Sequence, residues 1–337
     1  MRFKSYLVVL IIFGLLLIAV VQWTLRSRTS SPELLKGEIA AVGAEAPSQN
    51  GSAQAPKQAT KKAPRLFGTK SESATTDQTH AALSPTPTHA YKGIKGLTLR
   101  LNQPLQLDAA QVQGLAATAR SFYVSSVDPQ QRIAFLYEVR RDTFAIAQVR
   151  MLQQGSKCYL GGISLGAELL WAPLRGDEGD DHSLILGIDP RYLEVKQTFE
   201  VADRIAAVAQ GADGRLYGLN TRGDLFYEWA PDGHEVRRTP NPSGVAYQDM
   251  EGVRGSLVCA GMDETGGMVD VLDPSDFTIL RRHYVDALSP GGNQVTGKGF
   301  AFAEDEFYFL PDDGLNPMLM TYVLEGETLD MFVPHTP

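Results

Sequence analysis

The chain has 337 residues, with 31 Lys and Arg against 39 Asp and Glu, a formal net charge of −8 and two cysteines. Divided at residue 90, the first part carries 10 basic and 5 acidic residues, net +5, and the rest carries 21 and 34, net −13. The larger part would repel phosphate, which excludes a basic nucleic-acid footprint. Two cysteines exclude a disulfide-rich scaffold and a structural zinc site built from thiolates alone.

Residues 5–25 contain no charge and are almost wholly aliphatic from Tyr6 to Val21. As a helix rising about 1.5 Å per residue, that window spans roughly the 30 Å hydrocarbon core of a bilayer. Trp23 sits where an interfacial aromatic belongs, and Arg26 and Arg28 follow to meet headgroups. The bulky run Val20-Val21-Gln22-Trp23-Thr24-Leu25 lacks the small residues that signal-peptide cleavage wants. The expectation is an uncleaved, single-pass signal anchor over 1–26, with the remainder on the extracytoplasmic side of the membrane.

Residues 27–90 hold one aromatic, Phe67, among 64 positions and are rich in Ala, Pro, Ser, Thr and Lys. Such a stretch buries too little apolar surface to offset its ordering entropy, so a disordered tether is expected. The cluster Lys57, Lys61, Lys62 and Arg65 reads as a solvated run of linker charge.

After residue 90 the pattern changes to short alternating apolar runs divided by Gly, Asp-Pro and Asp-Gly turns, the signature of an all-β domain over 91–337. Similar triplets open strand-like runs at Gln113-Gly114-Leu115, Gly161-Gly162-Ile163, Asp203-Arg204-Ile205, Glu251-Gly252-Val253 and Lys298-Gly299-Phe300. Their central residues are spaced 48, 42, 48 and 47 apart. A second landmark keeps phase: turns near residues 141, 190, 232, 274 and 326, each joining two apolar runs. A repeat of this length with about four strands predicts a β-propeller blade, which must pack against neighbours around an axis. Five blades are countable and a sixth, degenerate one stays open. Leu97 to Leu101 supplies an extra strand to close the ring against the last blade.

The repeat separates Cys158, in the second unit, from Cys259, in the fourth. Non-adjacent blades hold them beyond the roughly 7 Å between Cα atoms that a disulfide needs, so two buried free thiols are expected. The acidic stretch 176–182 lacks the spacing of a calcium loop and reads as a hairpin tip.

In a propeller the innermost strand of each blade lines the central channel, and its first residues lie at one mouth. Here those positions are Gln113, Gly161, Asp203, Arg204, Glu251 and Lys298, with Gln248, Asp249, Asn293 and Gln294 in the approaching loops. Convergent polar groups of this kind are the default place for a ligand. Mutual neutralisation of Asp203 with Arg204, and of Glu251 with Lys298, is the structural expectation.

The stretches QGLAATARSFYVSSV, GGISLGAELLWAPL, SLILGIDPRYLEVKQTFEV, GADGRLYGLNTRGDLFYEW and NPSGVAYQDMEGVRGSLVCAG resemble an uncharacterised family of secreted bacterial propellers. More distantly they are similar to gluconolactonase, strictosidine-synthase-like and NHL-repeat propellers. The lactonase-type resemblance implies a calcium ion at the channel mouth, with Glu251 and Asn293 as its ligands. Gly161, Arg204 and Lys298 depart from an all-oxygen shell. The leading expectation is therefore a membrane-tethered binding or scaffold module with no required cofactor, recognising an envelope protein, a polymer or a small ligand. The alternative is a calcium-dependent lactonase or esterase.

Overall fold

The computed structural model describes residues 97–107, 111–177, 179–314 and 317–324. The helix expected over 5–25 and the linker over 27–90 lie outside them. Among the described residues no helix is long and apolar enough to cross a membrane.

Five antiparallel sheets form a five-bladed propeller. The chain enters as β1 (Leu97–Pro104) and then lays down four blades in order. The first consists of β2 (Gln111–Ala117), β3 (Ser121–Asp128), β4 (Ile133–Arg140) and β5 (Ile146–Leu152). The second has a divided inner edge, β6 (Tyr159–Leu160) and β7 (Ser164–Leu165), both paired with β8 (Leu170–Arg175), then β9 (Ser183–Asp189) and β10 (Glu194–Val201). The third holds β11 (Ile205–Gln210), β12 (Leu216–Asn220), β13 (Leu225–Trp229) and β14 (Glu235–Pro240). The fourth holds β15 (Ala246–Val253), β16 (Ser256–Asp263), β17 (Gly266–Leu272) and β18 (Ile279–Val285). The fifth holds β19 (Gly299–Ala303), β20 (Glu306–Leu310) and β21 (Met318–Leu324), and takes β1 as its outer strand.

The register runs Leu97 against Leu324 to Pro104 against Met318, so the ring closes with the strand expected to close it. No sixth blade occurs among the described residues. The turns expected near 141, 190, 232 and 274 join the third strand of a blade to its fourth.

Position within a blade explains each strand's composition. Middle strands are covered on both faces by neighbouring blades, so β9 (SLILGID) and β12 (LYGLN) are buried throughout. The outer strands β10 (EVKQTFEV) and β14 (EVRRTP) alternate, and their charged faces discourage pairing with another sheet edge. The core divides into five apolar clusters, one for each contact between adjacent blades. At the contact of blades three and four, Phe226 stacks on Phe277 with ring centroids 4.4 Å apart.

Polar links repeat as well. On successive outer strands Gln148, Gln197 and Arg237 donate to the carbonyl oxygens of Arg191, Pro231 and Pro274, each in the last turn of the next blade. Cys158 and Cys259 are buried and free, as their separation in the repeat requires.

Candidate functional site at the channel mouth

The inner strands meet at a crowded layer. Gly162 is bridged in parallel to Ala207. A Cβ added to Gly162 would lie 2.5 Å from the Gln248 carbonyl oxygen and 2.6 Å from Asp249 Oδ1. One added to Gly114 would lie 2.7 Å from the Gly162 Cα, and one added to Gly299 would lie 2.9 Å from the Leu115 Cβ. Gly114, Gly162, Ala207, Asp249 and Gly299 thus define one level of the axis. Only small residues fit there, apart from the one carboxylate.

That carboxylate holds the layer together. Asp249 is fully buried, and its Oδ2 accepts the backbone N–H groups of Leu115 at 2.8 Å and Phe300 at 2.9 Å. Its Oδ1 accepts the N–H of Met250 at 3.1 Å. Burial pushes its pKa up, while the N–H groups of Phe300, Leu115, Met250 and Ile163 pull it down by favouring the charged form. Glu251 is pushed up by burial and by the charge of Asp249.

One residue above this layer, three inner strands are interrupted by β-bulges. The register slips between Val112 and Gly114 in β2, between Ile205 and Ala207 in β11, and between Tyr247 and Asp249 in β15. The skipped residues are Gln113, Ala206 and Gln248. A bulge re-aims the extra residue out of the ladder, and all three line one cavity of about 230 Å³. The second blade contributes Gly161 and Gly162 from the break between β6 and β7, where the Gly162 N–H leaves its own sheet for the Ala206 carbonyl at 2.8 Å.

Two guanidinium groups share this cavity. Arg175 ends β8, opposite Tyr159 in register, with its Cζ 5.4 Å from the Tyr159 ring centroid. Arg204 precedes β11, and its carbonyl accepts the N–H of Thr221 at 2.7 Å, which brings that residue over the opening. The Nε groups of both arginines are buried without a hydrogen-bond partner. Burial and then the charge of Arg204 push the Arg175 guanidinium down to about 10.

Lys298 stands beside them, its Nζ 3.5 Å from Gln113 Oε1. Burial lowers its pKa, the Asp312 carboxylate opposes that shift, and Arg175 adds to it. Asp312 is itself raised by burial. Among the described residues, no salt bridge joins Arg175, Arg204 or Lys298 to an acid.

The residues expected at the mouth are thus sorted by the structure. Gln113, Arg204 and Gln248 line the cavity and Lys298 adjoins Gln113. Asp249 and Glu251 lie below it as buried groups of the axial layer. The repeat triplets of blades three and four are offset from that layer, which passes through Ala207 and Asp249 rather than Arg204 and Gly252.

Neither expected ion pair forms. Asp203 Oδ2 accepts from Asn220 at 3.0 Å and Tyr227 at 2.7 Å, and its Oδ1 accepts the Arg204 backbone N–H at 2.7 Å. Glu251 answers electrostatically to Asp249, and Lys298 to Asp312.

Asn293 donates its amide to the Asp312 carbonyl and to Asp313 Oδ1, both at 2.9 Å. Nor is the acidic stretch purely a solvated tip, since Asp180 accepts from Ser156 and Lys157 and Asp177 pairs with Arg132.

Glu251 and Asn293 do not fit a calcium ion at this mouth. One is buried under the axial layer, the other is committed to the β20–β21 loop, and three cationic side chains would repel the metal. Among the described residues no group of three or more acid, His or Cys side chains is placed to hold a metal ion.

Arg175 and Thr221 carry no repeat motif. Their only sequence signals are an arginine closing the apolar run LWAPL and a polar residue following the strand LYGLN.

A larger cavity of about 580 Å³ lies between blades five and one. Its charges satisfy one another, with Arg141 donating to Glu304, Glu306 and the Tyr308 hydroxyl, and Arg100 paired with Glu306. The mouth differs in that Arg175 and Arg204 form no salt bridge with an acid among the described residues.

No protein-family model and no curated protein matches the chain. Among solved structures it is similar to a protein of unknown function from Bacteroides caccae, at 15% identity over 60% of this chain and 72% of that one, TM-score 0.43. It is also similar to virginiamycin B lyase from Staphylococcus aureus, at 14% identity over 72% and 69%, TM-score 0.37. A third is the Pan2 WD40 domain of Neurospora crassa, at 10% identity over 60% of this chain and 56% of that one, TM-score 0.39. At these TM-scores the likeness carries nothing about this chain's chemistry or role.

Proposed function

We propose that the chain is a membrane-tethered, extracytoplasmic binding module that takes its ligand at the mouth of the propeller axis. The observation that carries this reading is the alignment of three β-bulges. They release Gln113, Ala206 and Gln248 from their ladders at one level, around a cavity that Arg175 and Arg204 enter from loops and strand ends. Fold stability alone gives no reason to turn polar side chains and two guanidinium groups into one small space. The apolar 5–25 segment and the tether at 27–90 would hold this mouth away from the bilayer, within reach of an envelope protein, a polymer or a small molecule.

The test uses the full chain in detergent and a variant whose mouth is filled, Thr221→Trp. A small-molecule panel containing neutral, cationic and anionic compounds is expected to yield stabilisers of the wild type that have no effect on the variant. Calcium is expected to add no stability, and turnover of a lactone or ester is expected to be absent with or without it. Stabilisers indifferent to Thr221→Trp, or calcium-dependent turnover that this variant abolishes, would overturn the reading.

A further inference from the structure

We infer that the mouth cavity is a site for a small oxyanion, a carboxylate or phosphate group, held between Arg175 and Arg204. This rests on the proposal that the mouth binds a ligand, and adds what the ligand must carry.

Two like charges enter a space of about 230 Å³, and neither meets an acid within salt-bridge range among the described residues. Elsewhere on the propeller buried or half-buried cations are paired: Arg282 is bidentate to Asp270, Arg237 and Arg215 both reach Glu228, and Arg141 reaches Glu304 and Glu306. The mouth departs from that rule. Bringing two guanidinium groups into one small cavity costs Coulomb energy that a negative charge between them would offset.

The geometry of the guanidinium narrows the chemistry. Its rigid fork presents paired N–H donors at the spacing of two oxygens on one carbon or phosphorus, so each arginine is suited to carboxylate or phosphate rather than to a halide. The Nε groups of both arginines are buried and have no hydrogen-bond partner. Gln113, Gln248 and Thr221 supply neutral donors and acceptors around them, matched to a hydroxyl or amide on the remainder of the ligand.

Lys298 lies behind Gln113 and adds positive potential, tempered by Asp312. The cavity's volume limits the occupant to a small molecule or to the acidic end of a larger one. The two arginines come from different blades, Arg175 from blade two and Arg204 from the entry to blade three, so an oxyanion between them would also tie those blades together.

The experiment is a thermal melt of the full-length protein in detergent at fixed ionic strength, with sodium malonate, inorganic phosphate or glucose set against sodium chloride. Malonate probes the carboxylate source and phosphate the other. At least one of them is expected to raise the melting temperature with a saturating dependence that chloride does not reproduce. Arg204→Gln and Arg175→Gln are each expected to weaken the apparent affinity at least tenfold, and Lys298→Gln by a smaller factor. Three variants at separate positions keep the test open if one fails to fold.

No specific shift with either anion, or a shift unchanged in all three variants, would overturn the inference. Stabilisation by glucose alone, lost in Thr221→Trp and retained in Arg204→Gln, would overturn the oxyanion and leave the binding module standing. A panel with no stabiliser sensitive to Thr221→Trp would remove both.

Discussion

The carboxylate of Asp249, on the inner strand of blade four, accepts the backbone N–H of Leu115, on the inner strand of blade one, at 2.8 Å. The same oxygen accepts from Phe300 of blade five, so one side chain joins three blades at the axis. An asparagine has the same shape but would turn an N–H₂ group towards backbone donors. Asp249→Asn is therefore expected to cost about 2–4 kcal/mol of stability, since it strands buried donors in a charge-assisted network. Equilibrium unfolding in urea measures it. A loss within about 0.5 kcal/mol, the scale of an ordinary surface change, would mean that Asp249 is protonated and its bonds to the backbone are weak.

Glu251 gives the neighbouring prediction, with its sign set by linkage. Its folded pKa is raised above the ordinary value of 4.5, so between that value and its folded pKa the native state holds the proton more tightly than the unfolded chain. The stability it contributes is fully present below pH 4.5 and is lost as pH rises through the folded pKa. Glu251→Gln removes that loss. The variant is expected to match the wild type in acid and exceed it at neutral pH by roughly 1–3 kcal/mol, the scale of relieving an unsatisfied buried group. Melting curves across pH 4 to 8 check this; a variant less stable than the wild type at neutral pH contradicts it.

Ring closure depends on β1. Leu97 is buried against the cluster that includes Phe300, Phe309 and Met320, and its strand is the outer edge of blade five. Leu97→Asp is expected to cost about 2–5 kcal/mol through lost packing and a buried charge. It should also expose the blade-five edge to limited proteolysis before the other four blades. Uniform digestion of all blades would argue against a separable closure.

The proposed anchor and tether lead to a fractionation experiment. The full chain is expected to remain with membranes after an alkaline wash. Protease added from the extracytoplasmic side is expected to release a soluble fragment cut within residues 27–90. Release by the wash alone, or protection of the tether from external protease, contradicts the proposed placement.

Much of the ring was legible in the sequence because packing imposes a period. The strand pattern that fills a blade must recur, and four of the turns that punctuate it fall between the third and fourth strands. Leu97 to Leu101 was readable as an extra strand able to close the ring on the last blade, while the sequence left a sixth, degenerate blade around it open.

The mouth was less legible because the triplets of blades three and four mark a different depth along the axis from that of blade one. The triplets at Arg204 and Glu251 look equivalent to Gln113-Gly114-Leu115, yet the residues that follow the bulges and stand level with Gly114 are Ala207, three positions after Arg204, and Asp249, three positions before Gly252. Glu251 consequently sinks out of the mouth. Arg175 escaped because it arrives from the end of a second strand, and only the pairing of Tyr159 with Arg175 shows where it points.

The most direct test of the account is a crystal structure of the propeller grown or soaked with malonate or phosphate. It predicts density for the oxyanion between the guanidinium groups of Arg175 and Arg204, with Gln113, Gln248 or Thr221 at its rim. A mouth holding only water at saturating anion, with the two guanidinium groups turned apart into solvent, would contradict it.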